Sequence, residues 1–329
     1  MRLNSALAAV ATIAAIASAP AYAYEPGGAP AQAKAGVLFG ASAGVPPPGI
    51  YMFNQVFTYQ SNLVGPFIKV IGKNVGVQTA SDVQGFLFVP GWTFLGATYD
   101  AVIALPFGLV NVGSPIPSQF SGVHNTFFAP VELSWKLGDS GFQIKTGLGI
   151  FAPDGTITGV GGLGNFGSPF WTFQPEVIVS YLKDGWNLSA AFYEEFNTAN
   201  SITGYRTGDI LHADFTATKR IGKWTIGPVA YYVGQVSNDT SSTFYHNALG
   251  TQRYDAWAVG ALVGYDFGPA ALSVWATQEV AAHASGATVI GGVVDPSTTS
   301  KGFTVFATLS YRVWAPEETP APRKPMIYK

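Results

Sequence analysis

The residues best equipped for chemistry lie near the middle of the chain. His212 and Asp214 are two positions apart, so an extended backbone puts them on one face, and Glu176 sits in a neighbouring run of similar character. A histidine with two carboxylates can hold a metal ion or act as a base. The same three residues also make an ordinary hydrogen-bonded cluster, and their unremarkable spacing favours that reading. Membrane hydrolases of the serine–histidine type need a nucleophile motif beside the base. His212 has none, and His124, His246 and His283 fall in predicted loops. Gly161-Gly162-Leu163-Gly164 resembles a phosphate loop only superficially, because no helical pattern follows it. The chain has no cysteine, which excludes disulfides, thiolate metal sites and a cysteine nucleophile. No cofactor and no metal site are expected.

These residues must be positioned by strands. From Trp171 to Val236 four runs of about ten residues alternate in polarity with a period of two. In the first, Trp171, Phe173, Val177, Val179 and Tyr181 oppose Thr172, Gln174, Glu176 and Ser180. In the third, Leu211, Ala213, Phe215 and Ala217 oppose His212, Asp214, Thr216, Thr218 and Arg220. Tight turns at Lys183–Gly185 and Gly222-Lys223 make these runs two hairpins in succession. Further strands are predicted from Ile50, and near Val83–Phe94, Ala97–Leu109, Phe127–Leu137, Phe142–Ile150, Tyr254–Asp266, Ala270–Ala282 and Lys301–Trp314, about twelve in all.

The connections decide the fold class. Short ones at Leu95-Gly96, Gly138–Gly141, Lys183–Gly185, Gly222-Lys223 and Gly268-Pro269 alternate with long ones at Asn62–Asp82, Asn111–Asn125, Ala152–Pro169, Asn197–Gly208, Ser237–Arg253 and His283–Ser300. A soluble meander has no reason to segregate loop length in this way. An up-and-down transmembrane barrel does, with short periplasmic turns and long external loops. Composition agrees: charged residues are 11% against a usual value of roughly 25%, and aromatics reach 14%, yet no run past residue 23 is long and apolar enough for a spanning helix. If lipid is the solvent, only a closed barrel satisfies every backbone group. The net charge of −2 gives no footprint for nucleic acid.

The ends read differently. Met1–Ala23 has the basic head, small apolar core and Ala-Tyr-Ala terminus of a secretory signal peptide. Residues 24–49 are rich in Gly, Ala and Pro and are expected as a loose leader before a barrel at 50–314; residues 315–329 read as a Pro-punctuated periplasmic tail.

Charges on a lipid-facing wall are costly, so the polar members of the strands should face the lumen: Glu132, Lys136, Lys145, Gln174, Glu176, Asn187, Glu195, His212, Asp214, Arg220 and Arg312. Trp171, Trp186, Trp224, Trp257, Tyr265, Tyr311 and Trp314 fall near strand ends, where interfacial aromatic girdles belong.

Several stretches resemble the outer-membrane family labelled "MetA-pathway of phenol degradation": Pro46-Pro47-Pro48-Gly49-Ile50-Tyr51, Trp171-Thr172-Phe173-Gln174-Pro175-Glu176, Gly185-Trp186-Asn187-Leu188-Ser189, Asn197-Thr198-Ala199-Asn200 and Tyr205-Arg206-Thr207-Gly208, with His212 and Asp214 completing the block. The resemblance implies a Gram-negative outer-membrane channel or transporter, associated with the degradation of aromatic compounds. Its partners would be outer-membrane lipid, a small-molecule solute with aromatic compounds among the candidates, and the barrel-assembly machinery. A lipid-modifying enzyme and a plugged surface barrel are the competing functions, and the number of subunits is left open.

Overall fold

The structure is a computed structural model that describes residue 25 and residues 31–115, 117–158, 165–247, 253–285, 289–290, 293–294 and 297–316. The predicted signal peptide, most of the C-terminal tail and the Gly161–Gly164 stretch lie outside the described residues. Fourteen strands form one antiparallel sheet, and twelve of them span a closed barrel. They are β1 (Gly49–Val64), β2 (Gly76–Val89), β3 (Ala97–Val112), β4 (Phe127–Lys136), β5 (Phe142–Phe151), β6 (Thr172–Lys183), β7 (Trp186–Asn197), β8 (Ile210–Ile221), β9 (Trp224–Gln235), β10 (Tyr254–Asp266), β11 (Ala270–Ala284) and β12 (Thr299–Trp314). Each strand pairs with its neighbours in sequence, and β1 closes the ring on β12, with Ile50 opposite Trp314 and Val64 opposite Thr299. Closure leaves no sheet edge with unpaired amides.

The tight turns sit at one end of the barrel and the long connections at the other. Leu95 and Gly96 have φ of 50° and 77°, and Asp184 and Gly185 have 52° and 77°. Two successive left-handed residues match the twist of the flanking strands, which is why a two-residue loop suffices. At the opposite end the connection after β1 carries a six-residue helical turn, Pro66–Ile71. The connection after β3 folds back, so that Ser118–Val123 pairs with Phe107–Val112.

The alternation sorts side chains as lipid and lumen require. On β6, Phe173, Val177 and Val179 are exposed on the outer face while Thr172, Gln174, Glu176 and Ser180 are buried. β8 buries His212, Asp214, Thr216 and Thr218. Three expectations need correction. The strand predicted at Val83–Phe94 runs from Gly76 to Val89. Its outer face carries Gln78, Asp82 and Gln84, which disguise its first half, and Pro90, lacking an amide donor, ends it. His283, predicted in a loop, stands at the end of β11, 3.3 Å from Asp255. The third concerns the leader. Its described part, residue 25 and residues 31–49, is not loose. Its glycines and its Pro46-Pro47-Pro48 run keep it out of the sheet, and its amides bond polar side chains of the inner wall.

Candidate functional site

The leader enters the barrel from the long-loop end and leaves it where β1 begins. Its path is marked by bonds from its own backbone. Gln32 N and Ala33 N donate to the two carboxylate oxygens of Glu195, each at 2.8 Å. Gly36 N and Leu38 N donate to Asp214 at 3.1 and 3.2 Å, Gly40 N to Thr216 Oγ1 at 3.1 Å, and Ala43 N to Ser180 Oγ at 2.8 Å. Asn187 Nδ2 returns a bond to Gly40 O at 3.1 Å. A segment without secondary structure therefore satisfies much of its backbone on β6, β7 and β8.

The central cluster forms around these anchors. His212 Nε2 lies 3.1 Å from Glu195 Oε1, both fully buried. The imidazole stacks on Tyr193 with ring centroids 4.4 Å apart and planes 10° from parallel. Tyr193 Oη in turn donates to Asp214 Oδ2 at 3.3 Å. His212 and Asp214 are brought together, but the carboxylate beside the imidazole is Glu195 and not Glu176. Glu176, on β6, belongs to a second cluster shared with β3, β4 and β5. There Lys145 Nζ sits 3.0 Å from both Asp100 Oδ1 and Glu132 Oε2. Gly147 separates Glu132 from Glu176; a Cβ there would stand 3.0 Å from one side chain and 3.2 Å from the other. Gln174 is buried on the same wall. Among the described residues no group of three His, Asp or Glu side chains is disposed to hold a metal ion.

Three of the charges named from the sequence lie at the rim. Lys136 is exposed next to a tight turn. Arg220 pairs with Asp266 at 2.6 Å, Arg220 largely and Asp266 partly exposed. Arg312 bonds Pro48 O and stands over the Tyr51 ring at 5.7 Å. Strand residues beside the turns extend past the apolar band into water, so an inward parity does not bury them. Of the end-of-strand aromatics, Trp171 and Trp257 lie near the long loops, while Trp186, Trp224, Tyr265, Tyr311 and Trp314 lie near the short turns. All but the half-buried Tyr265 are exposed.

Sequence reasoning missed an aromatic part of the lumen. Tyr231, Trp275 and Phe306 are buried on the inner face and pack with Leu63, Ala258 and Leu262, and with Ala35 and Phe39 from the leader; Tyr59 is buried on the same face. Trp275 stacks on Phe306 at 5.0 Å, and Phe57 meets Phe306 at 4.9 Å. Glu279 anchors the polar edge of this cluster. The signal was available in β11, where Trp275, Thr277 and Glu279 share the parity opposite to Val274, Ala276 and Gln278.

Above the lumen, Glu25 is buried among the long loops. Its carboxylate accepts bonds from Asn200 Nδ2 at 2.7 Å, Thr203 Oγ1 at 2.5 Å and Tyr245 Oη at 2.9 Å. Burial raises its pKa above the usual carboxylate value, and the bonds from Thr203, Asn200 and Tyr245 offset part of that rise. His124, in the connection before β4, meets the rings of Phe166 and Phe151 at 5.5 and 6.3 Å. Burial pushes its pKa down to about 4.

Closure, an outward apolar surface and an inward polar and aromatic one define an outer-membrane β-barrel whose lumen its own N-terminal segment occupies. Residues 58–287 match the family described as "Putative MetA-pathway of phenol degradation", and the chain belongs to that family. Among solved structures, the COG4313 outer membrane channel from Pseudomonas putida F1 is similar at a TM-score of 0.66 and 12% identity, over 82% of this chain and 98% of that one. The β domain of the Bordetella autotransporter BrkA reaches a TM-score of 0.47 at 12% identity over 80% and 99% of the two chains. A mutant of the TodX monoaromatic hydrocarbon channel reaches 0.45 at 9% over 82% and 91%. No curated protein matches the sequence.

Proposed function

We propose that this protein is an outer-membrane channel for small apolar or aromatic molecules, with the leader as a plug that must shift for passage. The observation that carries the reading is the inward aromatic cluster of Phe57, Tyr231, Trp275 and Phe306, into which the leader inserts Phe39. A lumen meant for water and ions alone gains nothing from burying indole and phenyl faces, whereas an apolar solute exchanges water for them favourably. Membership of a family named for phenol degradation supports an aromatic solute. In this reading the exposed aromatics at the two barrel ends anchor it in outer-membrane lipid, Met1–Ala23 directs export and is removed, and the barrel-assembly machinery inserts the chain. Glu132, Lys145, Gln174, Glu176, Asn187, Glu195, His212 and Asp214 line the lumen, with Asn187, Glu195 and Asp214 holding the plug, and Lys136, Arg220 and Arg312 mark its periplasmic mouth.

The test is growth and uptake of a deletion strain on limiting toluene or phenol, beside a hydrophilic solute such as glucose. Slower growth on the aromatic carbon alone, restored by the gene, supports the reading; equal growth on both overturns it. The extent of leader bonding favours a second reading, a closed surface barrel. That reading requires that purified, folded protein show neither conductance in planar bilayers nor uptake of aromatic solutes.

A further inference from the structure

Glu279 on β11 gathers four partners, three hydrogen-bond donors and one cation. Tyr59 Oη and Tyr231 Oη donate to it at 2.7 and 2.6 Å, and the Gly302 amide at 2.7 Å. The fourth is Lys34 of the leader, whose Nζ lies 3.7 Å from Glu279 Oε1. The same ammonium stands 4.0 Å from the centroid of the Tyr59 ring and 5.5 Å from that of Tyr231. A cation resting against two tyrosine faces with a carboxylate at its side is the chemistry by which proteins recognise organic ammonium ions. The apolar floor continues from it. Phe39 of the leader lies 6.2 Å from Tyr231 and 6.4 Å, edge-on, from Trp275, which itself stacks on Phe306. The leader thus presents one primary ammonium and one phenyl ring, and the wall supplies a place for each.

We infer that Glu279, Tyr59 and Tyr231, floored by Trp275 and Phe306, form a binding site for organic ammonium ions that carry an aromatic or short apolar body. Lys34 and Phe39 keep that site filled in the resting barrel. The inference rests on the channel reading, because a solute reaches the site through the lumen. Its selectivity follows from charge. Moving Lys34 away leaves Glu279 buried without its cation, which is costly in a low-dielectric setting. A neutral hydrocarbon fills the space but leaves that charge uncompensated, whereas an ammonium restores both the ion pair and the contacts with the tyrosine faces. A simple brace between leader and wall requires only the ion pair, and gives no preference between the two solutes.

The experiment uses the full mature chain in detergent, with phenethylammonium and its neutral counterpart propylbenzene as probes. Calorimetry on Lys34→Ala/Phe39→Ala, which vacates both places, should show phenethylammonium binding at least tenfold tighter than propylbenzene, and at least tenfold tighter than to wild type, where Lys34 competes. Adding Glu279→Gln should erase the preference for the ammonium while propylbenzene still binds. If that triple variant loses the heat-modifiable gel migration of a folded barrel, Tyr59→Leu and Tyr59→Phe in the vacated background replace it. Leucine should lower the ammonium preference and phenylalanine retain it. Equal binding of the two probes to the vacated barrel, or a preference indifferent to both Glu279 and the Tyr59 ring, overturns the inference. Calorimetry does not depend on transport, so the outcomes separate: a conducting channel with no ammonium preference sinks the site alone, and a preference in a barrel that transports nothing sinks the channel reading.

Discussion

Asp214 shows what a single lumen carboxylate does. It accepts the amides of Gly36 and Leu38 and the hydroxyl of Tyr193, so its charge is spread over donors from the leader and from the wall. Hydrogen bonds to a charged group contribute about 1.5–3 kcal/mol each. Asp214→Ala should therefore accelerate amide exchange at Gly36 and Leu38 at least tenfold while leaving β8 protected. Unchanged exchange would mean that apolar packing of Phe39 alone holds the leader. The inward parity of His212, Asp214 and Glu176 was legible from the two-residue period. Which carboxylate meets the imidazole was not, because that depends on the register: Tyr193 stands between Glu176 and His212, whereas Glu195, two residues along from Tyr193, is on the strand next to His212. Lys34 was invisible for a different reason: a Gly- and Ala-rich segment has no periodicity, so nothing marks which of its residues will pack.

At the scale of the element, strand identity follows from how cleanly polarity alternates. β6 and β8 were legible because each has one mainly apolar and one mainly polar face. β2 was not, because Asn54 on β1 and Asp82 on β2 bond each other at 2.5 Å on the outer surface and interrupt the apolar stripe. A cation in the middle of the lipid-facing stripe of β6 has no such partner. Val177→Arg should destabilise the barrel by about 2–4 kcal/mol, measured by unfolding in lipid, because the guanidinium is placed near mid-depth. Stability within about 0.5 kcal/mol of wild type would contradict the assignment of that face to lipid.

The external connections add a pH dependence of two opposed signs. Glu25 has a raised pKa, so its folded site binds protons more readily than the unfolded chain does; packing of the leader tip strengthens as pH falls from neutral towards the ordinary carboxylate value of 4.5. His124 behaves oppositely. Its pKa is lowered from 6.5 to about 4, so the neutral, packed ring contributes fully above 6.5 and its contribution is lost as pH falls towards 4. That shift corresponds to about 3 kcal/mol at its limit. Hydrogen exchange followed from pH 7 to 5, corrected for intrinsic rates, should show greater protection around Asn200 and Thr203 and less around residues 123–126. Glu25→Gln should flatten the first trend and His124→Phe the second. Trends of the same sign at both places would refute the assignment of these two groups.

For the whole molecule, the argument turns on what the ring of strands needs in order to close and what the leader adds once it has closed. The β1–β12 ladder begins at residues 50 and 314 and uses no residue of the leader's path through the lumen. Deleting residues 24–46 should therefore leave a barrel that folds and shows heat-modifiable migration. It should also expose a strongly acidic bore. Asp100, Glu132, Glu176, Glu195, Asp214 and Glu279 are buried on the inner wall, and Lys145 is the buried lysine that remains among them once Lys34 is gone. A narrow passage lined in this way concentrates cations through the field of its fixed charges. Planar-bilayer recordings of the deletion should give several-fold higher conductance than the full chain, and a potassium chloride gradient across the membrane should give a reversal potential of the sign set by cation preference. A folded deletion that conducts no better than the full chain would locate the barrier in the long loops that carry Asn200, Thr203 and Tyr245. Anion preference would mean that the carboxylates do not face the open path.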